Sequence, residues 1–150
     1  MNILATSYTL KHNSFDIYIA GCSGSPKCLG CHNPESWDFN IGRNFDEVYF
    51  LEIKNKIDEF DIMIDNIMIF GGEPLDQDHD ELINLLKSLS KLNKKIWLFT
   101  RYDLQDVPSN ISVYLDYIKT GRYIEELKID SNIQHGINLA TSNQKIFKKD

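Results

Sequence analysis

No apolar run in this chain approaches the ~18 residues that a membrane span needs. Basic residues are in the minority, with 16 Lys and Arg against 22 Asp and Glu and a net charge of -6. That balance argues against a general nucleic-acid or anionic-membrane surface, so neither is expected as a partner. Residues Met1 to Leu10 lack a basic start followed by an apolar stretch, so no export signal is read and a cytoplasmic location is expected. Repeats, low-complexity tracts and linkers are missing as well. Cysteine is scarce: there are three, an odd number that cannot close a disulfide framework, and in a reducing compartment they are expected to stay free thiols. Length is the last shortage. The 150 residues suit one domain, 1–150, and fall short of the ~200 that a closed eight-stranded β/α barrel needs. Any barrel here is partial.

What the chain does have is an ordinary globular composition, 42% hydrophobic and 11% aromatic, arranged as short apolar strands alternating with amphipathic helices. Phe15, Ile17 and Ile19 alternate with Asp16 and Tyr18, a period-2 strand. Asn44 with Glu47 reads as a capping box, opening a helix whose stripe is Phe50, Ile53, Ile57 and Phe60. Ile67 to Phe70 is wholly apolar, as expected of a strand buried on both faces. Asp78 and Glu81 form a second capping pair, ahead of a stripe of Leu82, Leu85, Leu86, Leu89 and Leu92. Ile96 to Thr100 reads as a third strand, Tyr114 to Lys119 as a fourth, and Ile137 to Ala140 as a weak candidate. Such alternation predicts an α/β fold with a mainly parallel sheet.

The sharpest local feature is Cys22-Ser23-Gly24-Ser25-Pro26-Lys27-Cys28-Leu29-Gly30-Cys31-His32. It follows the first expected strand, at the carboxyl edge where ligands collect in parallel α/β sheets. Three thiolates so close in sequence can converge on one soft metal centre. A redox pair of Cys28 and Cys31 alone would leave Cys22 unexplained. A structural zinc ion needs a fourth ligand. His32 adjoins Cys31, where side chains diverge, and His12, His79 and His135 are remote in sequence. An iron–sulfur cluster with three protein ligands leaves one iron open, a deficiency in an electron carrier and a requirement in a catalyst. All three readings remain open at this point.

The second feature is Gly71-Gly72-Glu73-Pro74, at the end of the strand Ile67 to Phe70. Its plain reading is a turn, since glycines tolerate positive φ and Pro74 stops ladder pairing. Its other reading follows from position, on the same sheet edge as the cysteines. Glycines there let a ligand approach the backbone, and the Glu73 carboxylate can accept hydrogen bonds from an ammonium group. On that reading the glycines serve ligand approach more than folding, and Gly72→Val should leave the fold intact.

Together the cysteine triplet and Gly-Gly-Glu-Pro resemble the radical S-adenosylmethionine (SAM) enzymes. The run Cys28-Leu29-Gly30-Cys31-His32-Asn33-Pro34-Glu35-Ser36-Trp37 narrows the resemblance to the activating proteins of anaerobic ribonucleoside-triphosphate reductase. Asp116 to Tyr123 and Ala140 to Gln144 also look like that group. One departure is the first cysteine spacing, five residues here where the family usually has three. Extra residues in a flexible loop add little closure entropy.

The resemblance implies a radical-SAM-type partial, open β/α barrel and an oxidoreductase that activates a glycyl-radical enzyme. It implies that Cys22, Cys28 and Cys31 ligate a [4Fe-4S] cluster whose fourth iron takes the amino and carboxylate groups of SAM. Gly71, Gly72 and Glu73, with Pro74 closing their motif, would hold the SAM amino group. Thr100 and Lys119 would contact the ribose and carboxylate; their plain readings are a strand-end threonine and a surface lysine. His32 and Asn33 would shape the cluster loop, and Trp37 would pack. The implied chemistry is reductive cleavage of SAM to methionine and a 5′-deoxyadenosyl radical, which takes a hydrogen atom from a glycine of the reductase. A flavodoxin or ferredoxin would supply the electron. The competing readings are a radical SAM enzyme acting on another polypeptide or a small molecule, and a zinc-stabilised binding module.

Overall fold

The computed structural model describes residues 1–24, 27–31 and 33–150. Along the chain run β1 (Asn2–Thr9), β2 (Ser14–Ile19), β3 (Arg43–Asn44), α1 (Glu47–Glu59), β4 (Asn66–Gly71), α2 (His79–Ser90), β5 (Lys95–Phe99), α3 (Ser109–Ser112), β6 (Tyr117–Thr120), β7 (Ile133–Gln134), β8 (Ile137–Asn138) and β9 (Lys145–Lys148). Seven of these strands form one sheet in the order β3-β1-β2-β4-β5-β6-β9, and β7 pairs with β8. The centre β2-β4-β5-β6 is parallel, as the strand–helix alternation predicts. Both edges are antiparallel: β1 pairs with β2 and β3 with β1, and β9 pairs with β6. The fold is thus α/β with a mainly parallel, mixed sheet. No helix among the described residues is long and apolar enough to cross a membrane.

Burial explains the arrangement. On one face, Ile17 and Ile19 of β2, Ile67 and Ile69 of β4, Ile96 and Leu98 of β5 and Ile118 of β6 share a core with all three helices. From α1 come Tyr49, Ile53 and Ile57, and from α2 Leu82, Leu85, Leu86 and Leu89. The other face carries Met68, Trp97 and Tyr117, packed against Leu139 and Ile146 of the C-terminal segment. Trp97 and Tyr117 stack at 3.7 Å, and the Trp97 indole N–H donates to Asn66 Oδ1 at 2.8 Å. Towards the carboxyl ends of the strands this face becomes an aromatic row, with Tyr18 on Phe70 at 5.5 Å and Phe70 on Phe99 at 4.2 Å.

Several local expectations need correction. Helix α1 is capped by Asp46, whose side chain accepts from Tyr49 N, whereas Asn44 lies in β3 opposite Asn2. An edge pairing with no strong pattern thus takes the residue that looked like a cap. Phe60 is 41% exposed, beyond the end of α1 and packed edge-on to Tyr8 at 5.0 Å. At α2 the expected cap holds, with Asp78 accepting from Asp80 N and Glu81 N; the Glu81 carboxylate pairs with the Met1 amino group. The fourth parallel strand begins at Tyr117 rather than Tyr114, because Leu115 turns into the helix-side core and the Asp116 carboxylate accepts from Ile96 N at 2.8 Å. Thr100 lies just past β5, and of Ile137 to Ala140 only Ile137 and Asn138 are strand.

Leu85 is fully buried between α2 and the sheet. Leu85→Ala should therefore lower the unfolding free energy by about 2–5 kcal/mol, read from the urea midpoint of the cluster-free chain.

Candidate functional site

The four parallel strands point their carboxyl ends at one edge, and the expected site residues leave the sheet there. The cysteine loop follows β2, Gly-Gly-Glu-Pro closes β4, Thr100 follows β5, and Lys119 lies in β6. Cys22, Cys28, Cys31, Asn33, Gly71, Gly72, Glu73, Thr100 and Lys119 all line a single cleft of about 290 Å³. Pro74 is buried at the start of the turn behind it, and His32 lies outside the described residues. The three cysteines are free thiols, Cys22 buried and Cys28 and Cys31 half-buried. Among the described residues no three His, Cys, Asp or Glu side chains close on a single ion; the three cysteines all line the cleft. A multi-iron cluster gives each thiolate its own iron, so a set of three free thiols on one cleft is the donor chemistry such a group takes.

Backbone hydrogen bonds hold this edge together. Gly72 N donates to Ile19 O and Glu73 N to Gly21 O, both at 2.8 Å, while Gly21 N and Cys22 N donate to Ser36 O and Trp37 O at 2.7 and 3.1 Å. The two motifs are thus hydrogen-bonded to each other before any ligand is considered. That contact corrects the expected role of the glycines. Gly71 has φ +121° beside the Ile19 backbone, and a Cβ on Gly72 would overlap the Gly21 carbonyl and sit 2.7 Å from Ser36 O. The bare Cα atoms are demanded by neighbouring backbone, so Gly72→Val cannot leave the fold untouched.

Glu73 is 1% exposed. Its carboxylate accepts from Thr100 Oγ1 at 2.7 Å, Arg101 N at 2.8 Å and Leu75 N at 3.0 Å. Burial pushes its pKa above the ordinary value, against the pull of those three donors. A carboxylate has about four acceptor positions, so roughly one remains for a ligand. Thr100 is therefore first a partner of Glu73. Lys119 donates to Gly121 O at 2.7 Å, and burial lowers its pKa to about 8, outweighing attraction to Glu73 and Cys28. Lys119 is no surface lysine.

Sequence reasoning missed a second tier. Asp76 accepts from Ser23 N of the cysteine loop at 2.7 Å and from Tyr102 Oη at 2.6 Å. The latter bond is the main cause holding the Tyr102 phenol at about 12. Arg101 also faces the cleft. Gln144 Nε2 donates to Gly121 O at 3.3 Å, which gives the run Ala140 to Gln144 a place at this edge. Trp37 lines the cleft with Lys27 Nζ 5.3 Å above its ring, and that lysine donates to Cys22 O. Of these, Trp37 and the run to Gln144 had a sequence signal; Asp76, Arg101 and Tyr102 belong to no motif.

Comparison with known proteins now defines the class. The family model described as a 4Fe-4S single cluster domain matches residues 14–147, and the chain belongs to that family. Within it, the chain is similar to curated proteins named anaerobic ribonucleoside-triphosphate reductase-activating protein. The one from Haemophilus influenzae is 28% identical over 126 residues, covering 80% of each chain. That from Escherichia coli is 27% identical over 129 residues with the same coverage. That from Pasteurella multocida is 25% identical over 143 residues, covering 88% of this chain and 85% of the relative.

Two outcomes follow from the geometry. Gly72→Ala should cost more than ~2 kcal/mol of stability even without a cofactor, because the new methyl meets fixed carbonyls rather than movable side chains; a urea titration of the cluster-free chain measures it. Lys119 titrates near 8 when folded and at 10.5 when free, so between those values the unfolded chain binds more protons and stability rises with pH. Lys119→Met removes this dependence. Native stability should gain on the variant by roughly 2–3 kcal/mol across that window and stay parallel to it below pH 8.

Proposed function

We propose that this chain is a radical SAM activase that installs a glycyl radical on an anaerobic ribonucleoside-triphosphate reductase. One observation carries the reading: three free thiols and the Gly-Gly-Glu-Pro turn, 40 residues apart or more in sequence, wall a single cleft at the carboxyl edge of the parallel strands. The names of the relatives supply the substrate. Cys22, Cys28 and Cys31 would hold a [4Fe-4S] cluster, which supplies the electron that splits bound SAM into methionine and a 5′-deoxyadenosyl radical able to abstract hydrogen from glycine.

The chain's own residues do the rest. Glu73 offers its remaining acceptor position, and the Gly71 and Gly72 backbone offers its carbonyls, to the SAM amino group. Lys119, which lines the same cleft, would offer its ammonium to the SAM carboxylate, a pair worth more in a partly dry site. Such a partner would return the lysine toward its ordinary pKa. Thr100 keeps the Glu73 carboxylate aimed, and Asn33 borders the cluster loop. On this reading the mixed seven-stranded sheet would serve as the open, partial barrel of this enzyme class. The C-terminal segment covers the β5–β6 side of the sheet face opposite the helices, while Ala5 and Ser7 of β1 are exposed and Tyr18 and Phe70 half-buried. That uncovered side gives a peptide loop of the reductase a lateral way in. The reductase is then a protein substrate, a small flavodoxin or ferredoxin the electron donor, and the cytoplasm the place of work.

The test mixes reduced protein, SAM and the cognate reductase under anaerobic conditions. A glycine-centred doublet in the electron paramagnetic resonance spectrum should appear together with nucleotide reduction. Cys22→Ala, Cys28→Ala or Cys31→Ala should each abolish cluster absorbance and SAM cleavage at once. Abundant 5′-deoxyadenosine with no glycyl signal would sink the activase reading in favour of another radical SAM substrate. About one zinc per chain and no iron would favour the binding module.

A further inference from the structure

Arg101 belongs to no motif, yet it reaches the cysteine loop. Its position is fixed at the backbone, where Arg101 N donates to the buried Glu73 carboxylate at 2.8 Å. Its side chain reaches Gly24, which lies between Cys22 and Cys28 in the sequence. A Cβ on Gly24 would overlap Arg101 Nη1, lie 2.9 Å from Arg101 Cζ and lie 3.4 Å from Cys22 Sγ. Arg101 Nη1 is therefore no more than about 5.2 Å from that sulfur, inside the range over which opposite charges act strongly on each other. Arg101 Cζ also sits 5.3 Å from the Tyr102 ring centroid. Among the described residues no carboxylate pairs with this guanidinium. The φ of Gly24 is not positive, and its bare Cα leaves room for the cation.

We propose that Arg101, seated on Gly24 beside Cys22, sets how readily the cluster accepts an electron. The inference rests on the cluster reading above. Reduction of [4Fe-4S]²⁺ to [4Fe-4S]⁺ adds one negative charge and makes or breaks no bond. A guanidinium cannot lose its proton in this range, so it favours the reduced state at every working pH. Net charge around a cluster is one of the terms that place its potential.

The test is a redox titration of the reconstituted protein with dithionite, followed by electron paramagnetic resonance of the reduced cluster. Arg101→Gln should weaken reduction about tenfold, a fall of ~59 mV for one electron. Arg101→Lys keeps the charge and should retain most of the native potential. Gly24→Ala should displace the flexible guanidinium tip without unfolding the chain, lower the potential in the same direction, and add little in combination with Arg101→Gln. Loss of the cluster from Arg101→Gln with Arg101→Lys intact would show a role in cluster retention and overturns the proposal as stated. An unshifted potential in Arg101→Gln, equal falls in the Gln and Lys variants, loss of cluster from both, or fully additive falls with Gly24→Ala overturns the proposal. A native chain that takes up no cluster overturns the parent reading as well, so the two failures are told apart by the unmodified protein.

Discussion

The buried Glu73 carboxylate is the interaction on which the ligand edge depends. It lies on the turn after β4 and accepts from the hydroxyl of Thr100 and the backbone N–H of Arg101, both after β5. The N–H of the same residue donates to Gly21 O, at the exit of β2. Three neighbouring strand exits therefore meet at one residue. Burying a carboxylate costs free energy unless hydrogen bonds replace its water, and here three donors do so while burial still holds its pKa above the ordinary value. An isolated turn could wander. This one cannot move without stripping donors from a buried charge, so the cysteine loop and the β5 exit keep their relative positions whether or not a ligand is bound.

Much of this was legible in the sequence, and the exceptions have physical causes. The parallel centre showed in Ile67 to Phe70 and in the leucine stripe of α2, because wholly buried strands and amphipathic helices leave periodic traces. Strand β1 left little trace, since only Ile3 of its eight residues is buried. Strand β9 is four residues long with only Ile146 buried, too short for a period to register. Edge strands are defined by a neighbour's free backbone rather than by their own side chains. The chemistry-bearing residues were legible for the opposite reason, because thiols and a Gly-Gly-Glu-Pro turn are uncommon residue types in fixed order. Asp76 and Tyr102 have no such mark. Their role exists only after folding brings the turn beneath Ser23 and the residues after β5 beside it.

The charge distribution runs against the composition. The chain carries a net -6, yet Arg101, Lys119 and Arg122 all face the cleft. An acidic protein that turns three cations toward one cavity has an interior suited to anions, and three thiolates with a carboxylate-bearing cofactor would be such a set. The cations differ in kind. Lys119 is buried and soft, with a pKa near 8, so its charge responds to what binds opposite. Arg101 is permanently charged and held by its backbone against Glu73, so its field is present before binding.

That contrast bears on how far a motif speaks for a ligand. Gly71 and Gly72 are required by the carbonyls and backbone of β2 and its exit; any chain joining these two turns in this way would need them, whatever it bound. Cysteines and glycines therefore define the backbone scaffold of the cleft. The electrical properties of the cavity rest on residues outside those motifs, Lys119 at the β6 end and Arg101 over Gly24. At Gly24 the missing side chain leaves space for a cation, whereas at Gly72 it leaves space for a carbonyl. The first kind of vacancy can be altered by changing one flexible side chain, and the second only by rebuilding the backbone. Adjustment of the cluster's environment is accordingly open to substitution at Arg101 and Gly24, while the Gly-Gly-Glu-Pro turn stays bound to the fold.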